Sequence, residues 1–247
     1  MVYMTDQTWR GPDAQLAAAV DAAISDAARR DWYLHLAGEQ VLVGRQGIFT
    51  TRLRPFGYQL SYRDPDPAHL GSAAWSEFQH ERATGHVLRA TFGRAELEQV
   101  AHGRWLFVRF PKAYLTGDLP IPERPDLLVI EIAEHVIVDR QVISCIRSLR
   151  ERGFRIAIPG FVSRPSQRLL LPHADFVKID VRDLDVEGRP VVELARSYGA
   201  LLIAEFVEHT WLLEHSRDLG FDLMQGNLLE RSSVLDRSAA QISRPVA

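Results

Sequence analysis

At 247 residues the chain can bury one large core, and a single α/β barrel suits that length better than two ordinary domains. Its formal charge of −3 and pI near 6.3 exclude a long-range pull on nucleic acid or anionic lipid, so neither nucleic acid nor membrane is an expected partner. One cysteine, Cys145, excludes an internal disulfide and a multi-cysteine metal centre.

The opening residues, MVYMTDQTWRGPD, have neither the basic lead nor the apolar segment of a signal peptide, and no run reaches the ~18 apolar residues of a membrane span. A soluble, unprocessed, cytoplasmic protein is expected. Asp13 caps a predicted helix whose apolar positions Leu16, Val20 and Ile24 recur every fourth residue, ending near Arg29 and Arg30, where cations complement the dipole. Residues 1–35 are therefore read as a helical extension. It serves as a lid over the closed bottom of the barrel, or as a dimer contact through its Ala-rich stripe.

Strand-like runs at Gln40 to Val43 and Phe56 to Tyr62, with a charged bend between them, predict a hairpin ahead of the βα units. From Asp64 to Ser76 the composition marks a surface loop, and two helices follow between Trp75 and Ala101, with breaks at Gly85 and Gly93. Trp75 and Phe78 could anchor a partner, but a single exposed aromatic is more often a local packing residue. Strands are then predicted at Arg104–Phe110, Leu127–Ile132, Ile156–Ile158, Phe176–Ile179, Leu201–Phe206 and Phe221–Gln225. Helices alternate with them, and Gly153, Gly199 and Gly220 each follow a helix end. This alternation predicts a parallel sheet closed into a barrel over residues 36–235. A flexible tail over 236–247 completes the chain, with fraying expected from Ser232.

In a βα barrel the C-terminal ends of the strands carry the chemistry. That rule collects Gln59, Arg109, Glu131, Lys178, Asp180, Glu205 and Gln225 at one mouth, with Glu134 and Glu208 one turn further out. Such a constellation is either catalytic or a salt-bridge network that closes the mouth. The Pro159-Gly160 pair ending another strand can neither hold a metal nor move a proton. The nine histidines form no His-Glu-x-x-His helix, and no Gly-x-Ser-x-Gly elbow or glycine-rich phosphate loop follows a strand. The basic run Arg147, Arg150, Arg152 and Arg155 lies at a helix end, where the dipole and solvent account for it.

Six blocks occur in order between Val41 and Leu235: Arg45 to Phe49, Gly57 to Arg63, Leu128 to Glu134, Ala174 to Asp180, Ala204 to Glu208, and Gln225-Gly226. Together they resemble the successive motifs of the EAL family of cyclic-di-GMP phosphodiesterases, in the flavour of the EAL-like half of bacterial proteins that join it to an HDOD domain. The resemblance implies a modified TIM-like (β/α)8 barrel whose first strand runs antiparallel to the others. It also implies two divalent cations, magnesium or manganese, at the mouth.

Matched residue by residue, the family's metal ligands fall on Gln59 for a glutamate, Arg109 for an asparagine, Glu131 for a retained glutamate, and Pro159-Gly160 for an aspartate pair. The lysine that orients the attacking water falls on Lys178, and Asp180, Glu205 and Glu208 are further remnants of the active site. The ligand-facing positions that the resemblance keeps are Gln46, Leu60, Arg63, Asp180, Glu205 and Gln225. Each of the four replacements shifts the site by one positive charge, and a guanidinium opposes cation binding where carboxylates are needed. The expectation is a catalytically inactive EAL-like signalling domain without cofactor, acting as a regulatory module with a protein partner. The alternatives are a metal-independent receptor of cyclic-di-GMP and, last, an active phosphodiesterase. Because Arg109 and Glu131 end neighbouring strands, they are expected to pair where the metal would have been, and Lys178 to find Asp180 or Glu205.

Overall fold

The structure is a computed structural model that describes residues 42–64, 75–92, 97–182 and 184–236. The expected N-terminal helix, most of the loop between Asp64 and Ser76, the break at Gly93 and the last eleven residues lie outside these.

The chain enters through a hairpin of β1 (Leu42–Thr50) and β2 (Pro55–Arg63), paired antiparallel. The first strand is longer than the apolar run suggested and continues through the charged stretch, because Gln46 and Gly44 sit on its inward side while Val43 and Ile48 are buried. Six parallel strands follow: β3 (Trp105–Phe110), β4 (Leu128–Ile132), β5 (Arg155–Ile158), β6 (Phe176–Asp180), β7 (Leu201–Glu205) and β8 (Leu223–Met224). The sheet runs β2 through β8 to β1 and closes through the β1–β2 pairing, so β1 is the antiparallel member of an eight-stranded barrel.

The helices among the described residues are α1 (Glu77–Phe92), α2 (Leu97–Ala101), α3 (Lys112–Leu115), α4 (Arg140–Glu151), α5 (Pro165–Leu170), α6 (Leu184–Ser197) and α7 (Thr210–Asp218). Helix α4 shows why they lie where they do. Asp139 caps it by accepting a hydrogen bond from the Val142 amide, Val142, Ile146 and Leu149 bury one face, and Gly153 behind it takes the left-handed backbone that stops a helix. None of these helices is long and apolar enough to cross a membrane.

Two expectations need correction. Helix α1 runs unbroken through Gly85, which is buried in the middle of a face with His86, Val87 and Leu88. Packing there outweighs the roughly 1 kcal/mol that glycine costs a helix interior. Ser233–Asp236 does not fray but forms β9, paired antiparallel with Leu42–Arg45 of β1.

Two layers of core define the barrel. An outer layer packs the helices on the sheet, with Leu106, Leu128, Ile130, Ile156 and Val177 facing them. Inside, Ile48, Phe107, Val129, Ala157, Phe176, Ile203 and Leu223 form one apolar plug, with Phe107 and Phe176 in edge contact at 5.0 Å. Side chains alternate along a strand, so the residues two steps beyond this plug are again inside. They are Arg109, Glu131, Lys178, Glu205 and Gln225, a polar layer above an apolar floor.

Candidate functional site at the barrel mouth

The polar layer gathers around Glu131, which is fully buried at the end of β4. In-register pairing of β3 and β4 sets Arg109 directly beside it. The Arg109 Nε donates to Glu131 Oε1 at 2.8 Å, while the Lys178 ammonium donates to Glu131 Oε2 at 3.2 Å. Lys178, itself only 1% exposed, also reaches Glu205 Oε1 at 2.8 Å and Gln59 Oε1 at 2.8 Å. The Gln59 amide completes the set by donating to the Phe107 carbonyl at 3.3 Å.

The electrostatics follow from this geometry. Burial pushes the Glu131 carboxyl up, but Lys178 and then Arg109 outweigh it and hold the group below the usual carboxylate range. Burial pulls the Lys178 ammonium down, and Glu131 and Glu205 more than reverse it. Glu131 raises the Arg109 guanidinium above its ordinary value, although half of the Arg109 side chain reaches solvent. Glu131, Lys178 and Arg109 are therefore charged near neutral pH.

Pro159 and Gly160 follow β5. Gly160 has φ +47°, and a Cβ added there would sit 3.4 Å from the Glu134 carboxyl, which itself lies 4.0 Å from the Arg109 guanidinium. Glu134 thus occupies the space next to Gly160.

A second polar group lines the other side of the mouth. Gln225 donates to Gln46 Oε1 at 2.9 Å, Gln46 donates to the Asn227 side chain at 3.2 Å and the Glu230 carbonyl at 3.1 Å, and Asn227 donates to Glu208 at 3.4 Å. Gly226 makes this arrangement possible, because any side chain there would collide with the Val207 backbone. The Val207 amide also donates to the Gln225 carbonyl, tying the ends of β7 and β8 together. Arg63 reaches Ser232 Oγ at 3.1 Å, next to β9.

One sequence-based assignment differs from the structure. Leu60 alternates with Gln59 and so points outward into the helix-facing core, 1% exposed, not into the mouth. Of the two partners expected for it, Lys178 meets Glu205, while Asp180 is held by Arg182. Asp180 Oδ1 accepts from the Arg182 amide and Nε, and its Oδ2 from the Arg182 guanidinium at 2.7 Å. The guanidinium in turn lies 3.8 Å over the ring of Phe206, a residue with φ +60°. Trp75 packs its ring against Tyr62 and His80, and Phe78 is part of α1. The reading of strand ends missed Asn227 and Arg182, which lie in the loops just beyond β8 and β6. Asn227 follows the Gln225-Gly226 block directly, which was its only signal.

Among the described residues no three His, Cys, Asp or Glu side chains converge as a metal-ion cluster.

Residues 119–232 match the family model of the EAL domain. An uncharacterised protein of Bacillus subtilis, YuxH, is 26% identical over 79% of this chain and 48% of its own length. The cyclic di-GMP phosphodiesterase CdgJ of Vibrio cholerae is 27% identical over 78% of this chain and 44% of its own. The chain therefore spans about half the length of each of these relatives. Among solved structures, the EAL-domain protein YkuI of Bacillus subtilis, in complex with cyclic-di-GMP and calcium, superposes with a TM-score of 0.60 at 21% identity, covering 83% of this chain and 57% of that one. Residues 119–232 thus match the EAL domain, and the barrel with its antiparallel first strand has the fold of solved EAL-domain structures.

Proposed function

We propose that this barrel is a non-catalytic EAL domain of cyclic-di-GMP signal transduction, acting through contact with a protein partner and not through hydrolysis. One observation carries the reading: both oxygens of Glu131, the retained metal-ligand position, are already taken by protein cations, Oε1 by Arg109 and Oε2 by Lys178.

The donors present do not fit a pair of divalent cations. Magnesium and manganese need several oxygen ligands in a defined shell. The positions matched to the family's ligands offer one amide, one guanidinium, one engaged carboxylate, a proline and a glycine. Arg109 also puts positive charge where a second ion would lie. The four charged groups instead close on themselves, and Lys178 is held by three partners with no freedom to orient a water.

Purified protein incubated with cyclic-di-GMP and manganese is expected to release no linear product above a control lacking protein. Gln59→Glu alone is expected to remain inactive, because Arg109 still occupies the site. Turnover that disappears on Glu131→Ala would overturn the reading.

A second reading, a metal-independent receptor for cyclic-di-GMP, has a specific observation in its favour. Gln225 is 7% exposed and its Oε1 has no hydrogen-bond partner, an acceptor at the mouth that a ligand N–H would satisfy. Calorimetry with cyclic-di-GMP, with and without magnesium, separates the two. Equal binding in both conditions supports the receptor, and silence in both supports the contact module.

A further inference from the structure

The closed end of the barrel carries a second feature that owes nothing to the mouth. A cavity of about 510 Å³ opens there, lined by Arg147 and Arg150 of α4, Gly153 and Phe154 behind it, Arg155 opening β5, and His173 and Asp175 just ahead of β6. Arg155 and Asp175 sit at the N-terminal ends of their strands, so the cavity faces away from the mouth. Its volume falls within the roughly 300–1,000 Å³ of small-molecule pockets.

The charges in it are unbalanced. Three guanidiniums face the carboxylates of Asp175 and Glu151, a surplus of one positive charge on a chain whose formal total is −3. Asp175 is a strut and not a competitor for ligand. Its Oδ2 accepts from the Ile156 amide at 2.9 Å, and its Oδ1 takes Arg155 at 2.9 Å and Arg150 at 3.6 Å. Oδ2 is thus committed to the backbone, and Oδ1 alone fixes two of the arginines. Arg147 has no ion pair or hydrogen bond among the described residues, so its guanidinium is available. His173 senses the field: burial first, then Arg150 and Arg147, hold its imidazole below the ordinary value.

We propose that this cavity binds a small phosphate-bearing molecule, its phosphate held by Arg147, Arg150 and Arg155. A phosphate dianion matches forked guanidinium donors better than a monovalent carboxylate does. Convergence from α4, β5 and the turn before β6 favours a compact ligand over an extended acidic segment. The site is independent of the reading of the mouth and stands or falls without it.

The test uses the whole protein and two probes, inorganic phosphate and guanosine monophosphate, read by NMR at the His173 ring and the arginine Nε–Hε groups. Saturable shifts are expected with both probes at constant ionic strength, with the nucleotide binding more tightly. Arg147→Glu should weaken binding at least tenfold, and Arg147→Lys should retain most of it. Arg147 has no hydrogen bond or ion pair to lose among the described residues, so both variants should fold. Shifts that chloride reproduces at equal ionic strength would overturn the proposal, as would unchanged binding in Arg147→Glu. A phosphoserine peptide that binds while the nucleotide does not would overturn the assignment to a small molecule.

Discussion

The two ends of this barrel use the same kinds of side chain to opposite effect. At the mouth, Glu131 and Glu205 answer Lys178 and Arg109, with Glu134 also 4.0 Å from Arg109, and the innermost, Glu131 and Lys178, are almost completely shielded from water. At the closed end, Arg150 and Arg155 share Asp175, Arg147 has no ion pair among the described residues, and the arginines remain open to solvent. A buried charge is tolerated only when paired and hydrogen-bonded, so matching at the mouth is a condition of folding. Surplus charge can persist only where water solvates it, and such surplus attracts a ligand. The same residue types thus mark structure where they balance and a binding surface where they do not.

The sharpest way to break this comparison is to unbalance the mouth. Glu131→Ala removes the acceptor of two cations and leaves Lys178 buried with only Glu205 to offset it. A loss of about 3–5 kcal/mol in urea unfolding is expected, the cost of stranding a buried charge. A loss under 1 kcal/mol would show that the mouth is more hydrated than its geometry indicates. Arg109→Ala should cost less, about 1–3 kcal/mol, because half of that side chain already reaches water and Lys178 still serves Glu131.

The network also predicts a pH profile. The Glu131 carboxyl is depressed in the fold, so its contribution is complete above its unfolded value near 4.3 and is lost as pH falls through the folded one. Lys178 is raised, so its contribution is complete below about 10.4 and is lost as pH rises through its folded value. The network's own contribution to stability should therefore be flat near neutrality and decline at the acid edge. Glu131→Gln, which has no proton to take up, should lower the plateau and flatten that decline. An unchanged acid slope would assign the titration elsewhere.

Much of this was legible in sequence because barrel strands announce themselves as apolar runs between turn residues. Arg109 and Glu131 could be paired in advance because consecutive parallel strands are neighbours and their ends share a level. The partners of Lys178 were only half legible. Glu205 ends the adjoining strand, whereas Gln59 and Glu131 reach it across the interior, a distance that strand order alone does not give. The assignment of Leu60 failed because a single step along a strand reverses the face. The strand at Ser233–Asp236 was hidden because its two apolar residues, Val234 and Leu235, are too short a run to mark a strand, which is specified by its partner β1. The basic run was read as a solvated helix end because His173 and Asp175, which turn it into a cavity, come from a separate turn some twenty residues further on.

The smallest effect tests the other half of the comparison. Arg147→Ala removes a cation without an ion pair among the described residues, so stability should change by no more than about 0.5 kcal/mol, as for other surface substitutions. The change should favour the fold, since repulsion with Arg150 is relieved. His173 provides the finer measurement. In the native protein its imidazole is depressed, so folding is favoured above its unfolded value near 6.5 and that benefit is lost as pH falls. With Arg147 gone, the His173 titration followed by NMR should move upward, toward its ordinary value but short of it, because burial and Arg150 remain. A downward shift, or a destabilisation comparable to that of Arg109→Ala, would mean that Arg147 is held in the fold like the charges at the mouth, and the contrast between the two ends would be lost.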